Sequence, residues 1–182
     1  FSGRYARGML WSHAFVRPPP FDLEDTAMQI VTQYLPHEPP MVLIDGMVSR
    51  NPPHVTCQFT IGPSLVFLVD GKASPLAMME VAAQTAAVYL GIHWRTRHIG
   101  FLASCRSAEF FASTYEVGDV LLVHAELLGE TDRSGSFECV VERRGERTAR
   151  MQLLVAKPPF DFEVGSGDPS PIQALEAIDA DD

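Results

Sequence analysis

Residues 75–92 would be apolar on every side if they folded as a helix, and this run constrains the fold more than any other feature of the sequence. Ser74 followed by Pro75 is a typical helix start, because serine caps free backbone N–H groups and proline suits the first turn. The run is about as long as the shortest membrane helices, but it contains Glu80 and Gln84 and lacks charged flanks at both ends. A helix that is apolar all round is surrounded by protein. We therefore expect a buried core helix.

Patterns of period two lie on both sides of this helix in the sequence. Before it, a short apolar run at residues 41–45 and a strictly alternating run at residues 54–61 predict two paired, half-buried strands. After it, four stretches predict further strands, with glycine-containing turns at residues 132–135 and 144–146. These stretches are residues 100–111, 119–128, 135–143 and 147–156. The order predicts an α+β domain in which an antiparallel sheet of five to six strands wraps one central helix, the pattern of a hot-dog fold.

The formal charge of −9 is distributed unevenly along the chain. Residues 1–30 carry three basic and three acidic side chains, and residues 31–157 carry 11 basic and 13 acidic ones. Residues 158–182 carry no basic side chain and seven acidic ones. We expect an N-terminal extension over residues 1–30, either flexible or partly vector-derived, since residues 1–8 begin without methionine. The hot-dog domain is expected over residues 31–157, and an acidic, disordered tail over residues 158–182.

Composition excludes several classes of protein. The domain has no basic excess with which to neutralise phosphates, so no nucleic-acid partner is expected. The sequence has three cysteines, Cys57, Cys105 and Cys139, and no Cys-x-x-Cys motif. The odd number and the wide spacing argue against a disulfide framework or a zinc site. We expect a cytoplasmic protein with no metal, no other cofactor and no membrane contact.

Three features are candidates for chemistry. His37 lies between prolines just before a predicted strand, where it is either a surface histidine or a proton-transfer group. Glu80 is a carboxylate on the apolar helix, with Gln84 one turn later on the same face, and a buried carboxylate is either well paired or does proton chemistry. Asp70 and Gly71 belong to the loop that leads into the helix. Either the free backbone N–H groups there polarise a carbonyl oxygen of the substrate, or the loop is an ordinary capped turn.

Four motifs resemble, in order and spacing, those of the beta-hydroxyacyl-acyl carrier protein dehydratases. They are Leu-Pro-His followed by Met-x-Leu-Ile-Asp within residues 35–45, Glu-x-x-Ala-Gln at residues 80–84, Gly-Phe-Leu-Ala at residues 100–103 and Val-Gly-Asp-x-Leu at residues 117–121. The resemblance covers about residues 30–157. It is closest to the dehydratase-like branch associated with aryl polyene biosynthesis, in which the central helix reads Glu-x-x-Ala-Gln.

This resemblance implies an enzyme that converts 3-hydroxyacyl thioesters of acyl carrier protein to trans-2-enoyl thioesters in fatty-acid or polyene-type synthesis. It also implies a dimer with a tunnel for the pantetheine-linked acyl chain at the subunit interface. In the typical enzyme a histidine from a Gly-His-Phe-Pro-Gly loop removes the C2 proton, and a helix carboxyl group protonates the departing C3 hydroxyl. Arg95, Arg97 and Arg106 form a basic cluster that either receives the phosphopantetheine or the acidic carrier protein, or is a solvated loop.

The sequence departs from this pattern ahead of the helix, where residues 69–75 contain no histidine. Three interpretations stay open. In the first, His37 acts as the base and Glu80 as the acid. In the second, Asp70 or a partner chain supplies the missing group, which favours a heterodimer over a homodimer. In the third, the site is inactive and the protein is a partner subunit or acyl-binding protein. An acyl thioesterase in which Glu80 and Gln84 activate water is a further alternative, although the Leu-Pro-His element favours dehydration.

Overall fold

The computed structural model describes residues 31, 33–35, 37–94 and 101–157. Its long helix is α1 (Ala77–Trp94), and nine strands are present in this part of the chain. The strands are β1 (Gly46–Asn51), β2 (His54–Thr60), β3 (Leu68–Val69), β4 (Lys72–Ala73), β5 (Phe101–Phe110), β6 (Tyr115–Glu116), β7 (Val120–Glu130), β8 (Ser134–Arg143) and β9 (Glu146–Ala156). The expected extensions, residues 1–30 and 158–182, lie outside the described residues.

Six strands form one antiparallel sheet in the order β1-β2-β7-β8-β9-β5. Helix α1 packs against β2, β7, β8 and β9. The structure therefore confirms the predicted α+β class and hot-dog arrangement, with one central helix against an antiparallel sheet. The long strands after the helix are also confirmed to within a few residues at each end.

The predicted alternation of side chains along the strands is confirmed as well. Alternate side chains of β2, β7, β8 and β9 are buried, and those between them are partly exposed. A shift of pairing by one residue would turn every buried side chain to the other face, so this pattern specifies the register. The buried set in these strands includes Val55, Cys57, Phe59, Leu121, Val123, Ala125, Phe137, Cys139, Val141, Met151, Leu153 and Val155.

The strand predicted at residues 41–45 is wrong, because no strand precedes Gly46 in the described part of the chain. The run is apolar because Leu43 and Ile44 are buried in the core. The backbone groups of Met41 and Leu43 are bound by the side chain of Gln84 in α1. The run meets the neighbouring strand β2 at its last residue, where Asp45 N–H donates to Gln58 C=O. The three-stranded sheet β3-β4-β6 was not predicted, since strands of two residues show no periodicity.

The segment that precedes His37 lies very close to α1. A Cβ atom added at Gly91 would be 2.7 Å from the Cβ atom of Tyr34, a separation that side chains do not tolerate. Glycine at this position therefore lets the two backbones approach. The contact holds the segment that carries His37 against the helix that carries Glu80.

Asp119 connects the loop before β7 to β6 and β8. Its Oδ2 accepts hydrogen bonds from the backbone N–H of Glu116, at 3.0 Å, and from Nη1 of Arg143, at 2.7 Å. Burial by itself raises the pKa of the Asp119 carboxyl group, but these donors and the charges of Arg143 and Arg144 outweigh burial. The net effect holds the pKa of Asp119 below its ordinary value.

This lowered pKa predicts how stability depends on pH. A carboxylate whose pKa is lower in the folded chain stabilises the fold above its unfolded pKa, and the stabilisation is lost as the pH falls through the folded pKa. We expect Asp119→Asn to reduce the free energy of unfolding by about 1–3 kcal/mol at neutral pH. The difference from wild type should shrink below about pH 4.

Urea denaturation at neutral and acidic pH measures this difference. Asp132→Asn is the matched control, because Asp132 is exposed and its replacement should leave stability nearly unchanged. A deficit in Asp119→Asn that stays constant from neutral to strongly acidic pH would show that the carboxylate charge does not stabilise this loop.

Candidate functional site

His37 and Glu80, the two predicted catalytic residues, lie next to each other. Nε2 of His37 is 3.4 Å from Oε1 of Glu80. Both side chains are partly exposed, at 26% and 30% respectively. Glu80 lies in the first turn of α1, and His37 reaches it because residues 37–45 cross that end of the helix. The structure thus brings the two residues together, and their role in proton transfer stays a prediction.

Gln84 lies one turn after Glu80 and is 1% exposed. Its Oε1 accepts a hydrogen bond from the backbone N–H of Leu43, at 3.0 Å. Its Nε2 donates to the carbonyl oxygen of Met41, at 2.7 Å, and to Oε1 of Glu80, at 2.9 Å. The two backbone partners fix which end of the amide carries the N–H groups. Gln84 must therefore present a donor to Glu80.

A groove with a volume of about 550 Å³ opens beside Glu80. Its lining is otherwise apolar except for Ser74. An apolar groove with a single carboxylate suits a ligand that is largely hydrocarbon and reacts at one point. The apolar lining includes Val66, Phe67, Val69, Leu76, Met79 and Leu102.

A second groove, of about 600 Å³, adjoins the first and shares Phe67, Val69 and Ser74 with it. It is the more polar of the two, since Asp70 and Lys72 line it. Asp70 therefore lies in this groove and not in the groove beside Glu80. Lys72 belongs to the loop that the sequence analysis selected, but only the structure shows its position on the wall of this groove.

Asp70 and Gly71 form the tight turn between β3 and β4, with positive φ angles of 51° and 74°. Both residues are exposed. This geometry fits the ordinary-turn alternative, because left-handed backbone at two successive residues is typical of a two-residue hairpin. A role of this loop in substrate binding stays a prediction.

The remaining predicted substrate-binding residues are not gathered at the groove. Gln84 is absent from its lining, because its amide is bound to protein groups. Arg106 is exposed on β5 and also does not line the groove. Arg95 and Arg97 lie outside the described residues, so the basic cluster stays a prediction.

No group of three metal-ligating side chains occurs within residues 31, 33–35, 37–94 and 101–157. In the same part of the chain, no helix is long and apolar enough to cross a membrane. Cys57, Cys105 and Cys139 are free thiols. Burial raises the pKa of Cys57 to about 12 and also raises the pKa of Cys139, so neither thiol is a reactive nucleophile.

The family model of the ApeP-like family, described as ApeP dehydratase, matches residues 29–165. The chain belongs to this family. The resemblance inferred from the four sequence motifs is thereby confirmed. No curated protein sequence matches the chain.

A solved structure entitled "The Dehydratase Heterocomplex ApeI:P from Xenorhabdus doucetiae" is similar to this ApeP-like chain. Sequence identity is 26%, the match covers 81% of this chain and 96% of the other, and the TM-score is 0.68. An uncharacterized protein, PH1136 from Pyrococcus horikoshii, is 14% identical, with coverage of 70% and 93% and a TM-score of 0.54. At this low identity the second likeness shows the fold alone.

The hydrogen bonds of Gln84 predict a large effect of its replacement. Gln84→Met keeps the size of the side chain but leaves Leu43 N–H and Met41 C=O without their partner. Each unsatisfied buried group costs about 1–3 kcal/mol, so we expect the free energy of unfolding to fall by at least about 2 kcal/mol. Urea denaturation measures the change, with Gln33→Met as the control at an exposed site. Equal stability of the two variants would contradict the hydrogen bonds described.

Proposed function

We propose that this chain is a dehydratase that converts 3-hydroxyacyl thioesters of acyl carrier protein to trans-2-enoyl thioesters in fatty-acid or polyene-type synthesis. The observation that carries the proposal is a carboxylate, Glu80, that lines an apolar groove and is contacted by His37. Membership of a dehydratase family supports the reaction class.

The chemistry of dehydration explains why such a pair is needed. The C2 proton of the substrate is only weakly acidic and hydroxide is a poor leaving group, so a base and an acid must both act at the reacting carbons. Glu80 lines the groove, and His37, a second titratable group, contacts its carboxylate. The apolar lining accommodates the acyl chain beside them.

We also propose acyl carrier protein as the substrate carrier and the cytoplasm as the location. Of the formal charge of −9, seven negative charges fall in residues 158–182 and only two, net, in residues 31–157. The domain therefore repels an acidic carrier protein only weakly, and Arg95, Arg97 and Arg106 are its candidate contacts. Free thiols at all three cysteines agree with a reducing compartment.

We propose further that a second hot-dog subunit completes the site. Val69, Leu76 and Leu102 of the groove lining are exposed, at 74%, 64% and 37%. Leu102 belongs to β5, which is an edge strand of the described sheet, and such an edge presents unpaired backbone groups to a partner. A heterodimer is favoured over a homodimer, because the related ApeI:P structure is a heterocomplex.

The reaction is tested by incubating the chain, alone and with a hot-dog subunit from the same organism, with 3-hydroxyacyl and acyl thioesters. We expect enoyl product, and we expect Glu80→Gln to lower its rate by about 10²–10⁴. Glu130→Gln is the control, because Glu130 pairs with His93 at an exposed position. Release of free thiol would instead favour a thioesterase, and no product from either substrate would favour an inactive partner or acyl-binding subunit.

The interface is tested by placing a charge at the groove. We expect the wild-type chain to sediment as a dimer, with itself or with the second subunit, and Leu102→Glu to shift the species toward monomer. Leu128→Glu is the control, since Leu128 is also an exposed leucine, at 52%, but does not line the groove. Wild-type protein that stays monomeric in both preparations, or equal effects of the two variants, would exclude this interface.

A further inference from the structure

We propose that Glu80 alone carries the transferred proton, through Oε2, and that His37 and Gln84 are positioning residues that act through Oε1 of the same carboxylate. This inference rests on the proposed dehydratase function and assigns roles within it. It replaces the expectation that His37 is the base with a mechanism in which one carboxylate serves as base and then as acid.

The first observation is that two donors converge on one oxygen of Glu80. The amide of Gln84 donates to Oε1, at 2.9 Å, and its orientation is fixed by Met41 and Leu43. Nε2 of His37 faces the same Oε1, at 3.4 Å. An oxygen that faces an N–H group is an acceptor, so a proton on the neutral carboxyl group belongs on Oε2.

The second observation concerns the protonation of the His37 ring. Its Nδ1 is buried and has no hydrogen-bond partner among the described residues. Nδ1 lacks a partner whether or not it carries the proton, so Nε2 decides between the two tautomers. With the proton on Nδ1, the lone pair of Nε2 would face Oε1 of Glu80 and two acceptors would oppose each other, whereas a proton on Nε2 points toward the carboxylate. The neutral ring therefore carries its proton on Nε2 and its lone pair on Nδ1. That lone pair is sealed from the groove, so the neutral ring cannot accept a proton from the substrate.

The third observation is which side chains reach the groove. Glu80 lines the groove, whereas His37 and Gln84 do not. Of the three polar side chains, only the carboxylate therefore meets a bound acyl chain directly. His37 and Gln84 hold it from the side of the protein.

The reaction balances with a single proton. Oε2 of ionised Glu80 takes the C2 proton, and the electron pair of the broken C–H bond forms the C2=C3 double bond as the C3–O bond breaks. The same proton passes from Oε2 to the departing hydroxyl oxygen, which leaves as water. The products are the enoyl thioester and water, and the carboxylate is regenerated without a further reactant.

Substitutions of His37 separate a base from a positioning donor. His37→Gln keeps an N–H group near the position of Nε2 but has no basic nitrogen. We expect it to lower kcat by at most about tenfold, the effect of one altered hydrogen bond, whereas Glu80→Gln lowers kcat by about 10²–10⁴. His37→Ala, which removes the donor, should fall between them. A His37→Gln enzyme as inactive as Glu80→Gln, yet folded by thermal denaturation, overturns the proposal.

The ring itself is tested without any assay of activity. The full chain is labelled with ¹⁵N-histidine and studied by two-bond ¹H–¹⁵N correlation at about pH 9, where imidazole is neutral. His37→Gln identifies the signals of His37. We expect the pattern of an Nε2–H ring, and an Nδ1–H ring overturns the proposal. A chain that makes no enoyl product but has the Nε2–H ring refutes the dehydratase function and the proton transfer with it, while the positioning geometry stands.

Discussion

The side-chain amide of Gln84 is the interaction on which the site depends. It forms hydrogen bonds with the backbone of Met41 and Leu43, in the segment that precedes β1, and it donates to Glu80. Buried backbone groups require partners, so this amide stabilises the segment against α1, together with the burial of Leu43 and Ile44. Because residues 37–45 follow directly from His37, the same amide also sets where the imidazole lies.

The carboxylate of Glu80 consequently has two different sides. Oε1 faces protein donors that are fixed before any ligand arrives, and the side chain also forms part of an apolar groove wall. Preorganised donors of this kind stabilise charge without reorganising during a reaction. The side chain of Glu80 thus connects its polar contacts with His37 and Gln84 to the apolar wall of the groove.

The sequence predicted the core helix and the long strands because hydrophobic period is a local property that one face of each element expresses. It also nominated His37 and Glu80, since a histidine between prolines and a carboxylate on an apolar helix are both unusual. It did not predict the backbone of residues 41–45 correctly, because Met41 and Leu43 are bound by a side chain far along the chain. For the same reason the hydrogen bonds of Gln84 and the different surroundings of the two ring nitrogens of His37 became visible only in three dimensions.

Strand β5 has ten residues and contains register shifts between Leu102 and Ser104 and between Cys105 and Ser107. Such irregularities bend and twist a strand locally. A long, flat edge is a template for unselective pairing and hence for aggregation, and a twisted edge is not. The shape of β5 therefore protects the chain while it is alone, because only a strand that follows the same irregular course fits along its full length.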